Sequence, residues 1–227
     1  MVANRQARGG LMDQVLFHLI NEQWTNPALD LFMAAISNVD IWKPLIALLV
    51  LFCLIFGGFK GRALVFCIAL ILLVDTGITS GLKKFVDRRR PKQVQRVRMV
   101  VLAKTHPEFL TLFKPVQIRY SDASDRNRSG PSFPSGHVMN NATVAIVLAF
   151  FFRRWGWLYL LVAVAIAWSR VYLGAHWPSD VAATFFLAAG ETAFLLALFE
   201  AVYRSVTARW APQFFVRHPR LIGDAIA

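Results

Sequence analysis

Ser169-Arg170-Val171-Tyr172-Leu173-Gly174-Ala175-His176-Trp177-Pro178-Ser179-Asp180 lies where one long apolar run, 155–172, ends and another, 181–203, begins. An arginine, a histidine and a carboxylate are thereby placed at the mouth of a membrane bundle. Pro178 suits the first turn of a helix that starts just after the histidine. His176 and Asp180 are four residues apart. That spacing predicts that Asp180 bonds one imidazole nitrogen, fixes the tautomer and leaves the other nitrogen free, as a nucleophile or base requires. The plainer reading is a histidine and an aspartate that cap a transmembrane helix, and only the rest of the chain decides between the two.

Of 227 residues, 56% are hydrophobic and 17% charged, and mean hydropathy is +0.48. The apolar residues come in long runs, which predicts an integral membrane protein, all-α, folded as one polytopic helix bundle. The net charge of +12 calls for an anionic partner. Basic residues gather beside apolar runs, which points to membrane lipids and phosphates and away from nucleic acid. Cys53 and Cys67 both lie inside apolar runs and read as small packing residues, not as a disulfide or a metal site. The first residues, with Arg5 and Arg8, lack an apolar run followed by a small-residue cleavage site, so no removable leader is expected.

Leu11–Ile20 and Ala28–Ile36 flank a polar segment, and each is too short to span a bilayer alone. Their helical periodicity predicts amphipathic helices lying in the interface, or one broken span. Five spans follow at 41–57, 63–82, 138–152, 155–172 and 181–203, giving five to six transmembrane helices in all. The chain thus divides into an N-terminal amphipathic segment (1–40), a membrane domain (41–204) with a polar segment at 83–134, and a basic tail (205–227). With five spans, the short basic turns at 58–62 and 153–154 and the tail share one side, which the positive-inside rule makes cytoplasmic. Residues 83–133 then lie on the opposite side. They carry thirteen Lys/Arg against four acids, a net +9 that breaks the rule and suggests anion binding.

Two more stretches fall on that same face. Lys83 and Arg90 are seven residues apart; at about 100° per residue they lie within roughly 20° of one helix face, and Pro91 should end the helix. Paired there, they would hold phosphate oxygens, the arginine bidentately. Lys84, Arg88 and Arg89 read as a juxtamembrane cluster for lipid headgroups. The other stretch is Gly130-Pro131-Ser132-Phe133-Pro134-Ser135-Gly136-His137. Its Pro-Ser-Gly turn opens a helix and offers backbone N–H groups and a hydroxyl to an anion, and His137 is placed to give a proton to a leaving oxygen. Three weak signals at the ends of three spans outweigh the capping reading.

Lys83 through Arg90-Pro91, Pro134-Ser135-Gly136-His137, and Ser169-Arg170 through His176 and Asp180 together resemble the three signature motifs of the type 2 phosphatidic acid phosphatase superfamily, in order. The motifs occupy residues 83–180, and the surrounding spans resemble the membrane-bound branch, many members of which have six spans. The resemblance implies that His176 takes the phosphoryl group, that Asp180 orients and charge-stabilises it, and that His137 protonates the leaving oxygen and later activates water. It implies further that Lys83, Arg90 and Arg170, with Ser135 and the Gly136 N–H, hold the phosphoryl oxygens. Cations can neutralise that charge without a metal, so neither a metal nor another cofactor is expected.

The expected activity is a lipid phosphate or diphosphate phosphatase of the bacterial cytoplasmic membrane, its site facing outward, with undecaprenyl diphosphate favoured as substrate. Phosphatidylglycerol phosphate, phosphatidic acid and lipid A phosphate are alternatives, as is transfer of the phosphate to another lipid. An anion transporter is the competing class, prompted by Asp75 and Glu191 within apolar spans. A vanadium haloperoxidase, from the same superfamily, fits a membrane bundle less well. Nothing in the sequence sets an oligomeric state.

Overall fold

The computed structural model describes residues 10–127 and 130–222. Arg5 and Arg8, and the absence of a leader read there, lie outside the described residues, as do Arg128 and the end of the basic tail. The chain runs α1 (Leu11–His18), α2 (Pro27–Ser37), α3 (Val39–Phe56), α4 (Gly58–Val86), α5 (Pro91–Val94), β1 (Arg98–Val101), β2 (Gln117–Tyr120), α6 (Ala123–Asn127), α7 (Gly136–Phe151), α8 (Tyr159–Tyr172), α9 (Pro178–Trp210) and α10 (Pro212–Arg217). A π turn (Leu19–Gln23) follows α1, and 3-10 turns occur at Glu108–Phe113 and Gly156–Leu158. The fold is a helical membrane bundle with one small antiparallel β-ribbon, in which Arg98 pairs with Tyr120 and Val101 with Gln117.

Three helices, α3, α4 and α9, are long and apolar enough to cross a bilayer, while α2, α7 and the turn-plus-α8 stretch 156–172 are shorter apolar helices. α3 leaves Leu48, Leu51, Phe52, Ile55 and Phe56 exposed, a surface suited to lipid and not to water. α7 is the central element. Met139, Ala142 and Val147 are fully buried as it packs against α4, α8 and α9. The expected basic turn at 58–62 is helical instead: the chain bends at Gly57 and α4 begins at Gly58. A Cβ at Gly61 would stand 2.6 Å from the Cys53 carbonyl oxygen, so glycine lets the two helices meet there. Arg62 Nε then bonds the Leu54 carbonyl at 3.0 Å and satisfies one of the carbonyls left open at the end of α3. The last span also runs past its expected end near 203, continuing as helix to Trp210.

The N-terminal helices pack one face against the bundle. Leu11, Met12 and Val15 are exposed, but Phe17, Ile20 and Met33 are buried against Val97, Val171, Tyr172 and Trp177. α2 begins as its sequence dictates, with the Asn26 Oδ1 accepting from Leu29 N at 2.9 Å and Pro27 in the first turn. Asp30 then pins it to the ribbon. Asp30 Oδ2 pairs with Arg98 at 2.6 Å, and its Oδ1 accepts from the Tyr172 hydroxyl at 2.7 Å. Removing one partner of such a buried pair costs about 3–5 kcal/mol. Asn21, fully buried in the π turn, donates to the carbonyls of Arg98 and Tyr172.

The end of α4 corrects a second expectation. The helix stops at Val86, Asp87 takes a left-handed conformation (φ 40°), and the next helix starts only at Pro91. Lys83 and Arg90 therefore do not share a helix face. The non-helical stretch 87–90 instead lets consecutive arginines turn to different partners.

Candidate active site

The C-terminal ends of α4 and α8 and the N-terminal ends of α7 and α9 meet at one end of the bundle, beneath the ribbon. His176 lies in the loop 173–177 between α8 and α9 and is 2% exposed. The loop is fastened by the Arg170 carbonyl, which accepts from both Ala175 N (3.0 Å) and His176 N (3.2 Å). Gly174 makes this turn possible. Its φ is +71°, and a Cβ there would stand 2.1 Å from Val97 Cγ1.

The imidazole Nδ1 lies 2.6 Å from the backbone carbonyl of Ser132. A carbonyl only accepts, so Nδ1 carries the proton and Nε2 keeps its lone pair. The expected partner, Asp180, does not fill this role. Its Oδ2 accepts from the Ser132 hydroxyl at 2.5 Å and its Oδ1 from Arg88 Nη1 at 2.5 Å. Ser132 thus stands between the two, its carbonyl on the histidine and its hydroxyl on the aspartate. Burial, and after it the charges of Arg90 and Arg170, push the His176 pKa well below the ordinary imidazole range and keep the ring neutral.

The cations surround this ring. Arg90 donates from Nε to the Gly130 carbonyl (2.9 Å) and from Nη1 to the Ala175 carbonyl (3.5 Å). Arg170 Nη1 donates to the Ser37 hydroxyl. Lys83, in the last turn of α4, acts electrostatically on His137 together with Arg90 and Arg170. The His137 ring is hydrogen-bonded to the backbone of Ser37, at the end of α2. Ser135 caps α7 with its N–H on Thr184 Oγ1 (3.0 Å), and Gly136 opens the helix, where N–H groups have no intrahelical partner. All eight residues singled out in the sequence therefore converge. Ser135 Oγ and Arg170 Nε are buried without a hydrogen-bond partner. Three cations and two open donors in a buried space are a site for a multiply charged oxyanion.

Five contributors escaped sequence reading. Arg88, read above as a headgroup ligand, pairs instead with Asp180 and with Asp13 of α1, the latter at 2.6 Å. Asp13 also accepts from Ser179 N (2.8 Å) and Ser179 Oγ (2.6 Å). Thr184, through Ser135, and Ser37 and Ser132 complete the set. Ser132 lay within a stretch already singled out. Asp13 carried only the signal of a lone acid on an apolar helix. The two intramembrane acids turn inward: Asp75 accepts from Thr143 at 3.0 Å, and the carboxyl oxygens of Glu191 are buried. Among the described residues no group of three or more His, Cys, Asp or Glu is placed to hold a metal.

A membrane helix bundle with a neutral histidine facing clustered cations defines a membrane phosphatase. The family model of the PAP2 superfamily matches residues 61–204, and the chain belongs to that family, as a phosphoric-ester hydrolase. It is 29% identical over 175 residues to an undecaprenyl-diphosphatase of Sulfolobus acidocaldarius, covering 76% of this chain and 71% of that one. It is also 29% identical to a lipid A 4'-phosphatase of Bacteroides thetaiotaomicron, covering 70% of this chain and 64% of the relative. The crystal structure of Aquifex aeolicus LpxE superposes with a TM-score of 0.58 at 25% identity, over 83% of this chain and 96% of that one.

Proposed function

We propose that this protein removes the terminal phosphate of a lipid diphosphate, undecaprenyl diphosphate, through a phosphohistidine at His176, on the extracytoplasmic face of a bacterial cytoplasmic membrane. The observation that carries the mechanism is the bond between His176 Nδ1 and the Ser132 carbonyl, which leaves Nε2 free. Nε2 attacks the terminal phosphorus. The bond from phosphorus to the bridging oxygen breaks and its electron pair goes to that oxygen. Burial, and after it Arg170, push the His137 pKa down to about 4. His137 takes up a proton once the phosphate anion offsets the neighbouring cations, and gives it to that oxygen as the lipid phosphate departs. The phosphorylated ring is cationic, and the Ser132 carbonyl still accepts its Nδ1 proton. Water, deprotonated by His137, then attacks phosphorus. The P–N bond breaks, its pair returns to Nε2 and inorganic phosphate leaves.

Arg90, Arg170 and Lys83, with Ser135 and the Gly136 N–H, neutralise the oxygens of the transferring group, where such reactions need stabilisation. The relative named undecaprenyl-diphosphatase supports the substrate. The lipid A 4'-phosphatase relative favours a phosphorylated lipid A as second reading. Rapid quenching of the purified enzyme with terminally labelled undecaprenyl diphosphate should trap an acid-labile, alkali-stable phosphoprotein. His176→Ala should lose both this adduct and turnover by roughly 10⁴-fold or more, as when a nucleophile is removed. An unlabelled wild type, or an active His176→Ala, would dispose of the mechanism. A higher kcat/KM on phosphorylated lipid A would exchange the substrate.

A further inference from the structure

Beside the site runs a groove of about 650 Å³, walled by the α2–α3 junction, β1 and the chain that follows it, and the end of α8. Ser37 and Arg170 are among its lining residues. These two residues link it to the chemistry. Arg170 belongs to the phosphate cluster and bonds the Ser37 hydroxyl, while the backbone of Ser37 bonds the His137 ring. In-line displacement puts the leaving group opposite the nucleophile. In the mechanism above His137 protonates that leaving group, so His137 marks the side on which it sits. The groove shares Ser37, the residue bonded to His137, with that side.

Its walls have two characters. Val100, Leu102 and Leu173 are aliphatic; Lys104 and His106 are basic or protonatable. Asp40 and Glu108 also line it. Asp40 is paired with Lys43 at 2.5 Å, and Glu108 faces the same lysine. One lysine offsets one of the two acids, so Arg170 and Lys104 outweigh the remaining acid by a single positive charge, and the His106 ring lies beside them. A phosphate attached to an aliphatic chain fits both characters at once.

We propose that this groove is a leaving-group subsite that holds the second phosphate of a lipid diphosphate on Arg170, Lys104 and His106, with the first carbons of the chain against Val100, Leu102 and Leu173. The subsite rests on the phosphatase reading and deepens it, making the enzyme selective for diphosphates over monophosphates of the same chain. Farnesyl diphosphate and farnesyl phosphate differ by that one group. In full-length enzyme in detergent, Lys104→Ala with His106→Ala should lower the ratio of kcat/KM for diphosphate to that for monophosphate by tenfold or more, through KM. The same double variant should lose a wild-type preference for inhibition by methylenediphosphonate over orthophosphate. Where the alanines do not fold, Lys104→Gln with His106→Gln keeps the stems, and the same ratio decides. A ratio within twofold of wild type would overturn the subsite while leaving the phosphatase reading intact. Phosphate release by His176→Ala would instead strike at that reading and not at the groove.

Discussion

Ser132 has no place in the sequence motifs, yet the site turns on it. Its carbonyl takes the His176 Nδ1 proton and its hydroxyl meets Asp180, so one residue sets the tautomer and couples the carboxylate to it. The residue type explains why the motifs name residues that lie together in space, while the bond expected between His176 and Asp180 is not made. A spacing of four between His176 and Asp180 establishes proximity, whereas the backbone carbonyl that actually bonds the ring has no side-chain signature. The buried neutral ring has a consequence for pH. Burial, with Arg90 and Arg170, lowers the His176 pKa well below its usual value. The unfolded chain takes up a proton on this histidine below about pH 6.5, while the folded chain does not. Its contribution therefore subtracts stability as pH falls below that value and has no effect above it. Thermal melts of ligand-free enzyme should show a steeper loss of Tm between about pH 6.5 and 5 in wild type than in His176→Gln. Equal slopes would mean that the ring is protonated when folded.

At the scale of elements, helix starts were legible and helix ends were not. Pro178 opens α9 and Ser135-Gly136 opens α7, because proline and cap residues act locally. The end of α4 depends on a left-handed Asp87 and on Arg88 and Arg90 drawn to separate partners, which no local pattern announces. α1 and α2 are the clearest case. They lie before the family-matched residues 61–204. Even so, Asp13 of α1 holds Arg88 and Ser179 beside Asp180, and Ser37 of α2 holds Arg170. Periodicity predicted two amphipathic helices, but contacts made with residues 75 or more positions away are invisible to it. Asp13→Ala should leave Arg88 with only Asp180 and the Ser179 hydroxyl, and let the carboxylate shift. A misplacement of about 1 Å at a reacting centre costs roughly 10²-fold, so kcat should fall about tenfold to a hundredfold with the circular dichroism unchanged. Wild-type kcat in a folded Asp13→Ala would return α1 to the status of a surface helix.

For the whole molecule the open matter is which side of the membrane the site faces. The motifs, the ribbon and α6 lie at one end of the bundle; Arg153 and Arg154, the α3–α4 junction with Lys60 and Arg62, and the Arg204-to-Arg220 stretch belong to the other. Short basic turns set orientation more strongly than long polar segments, which translocate despite their charge. The +9 of residues 83–133 has structural employment that a topology signal does not need. Arg88 and Arg98 are bound to Asp180, Asp13 and Asp30, Arg119 to Asp125, and Lys83 and Arg90 border the phosphate site. The short turns are what support the proposed outward orientation, in which the site would meet only lipids of the outer leaflet. Ser124 is exposed in α6 at one end, and Arg154 is exposed in the turn after α7 at the other. In intact spheroplasts a membrane-impermeant maleimide should label Ser124→Cys above the signal of the parent with its native Cys53 and Cys67. Arg154→Cys should be labelled only after permeabilisation. The reverse pattern would turn the bundle over and give the enzyme the cytoplasmic leaflet as its substrate pool.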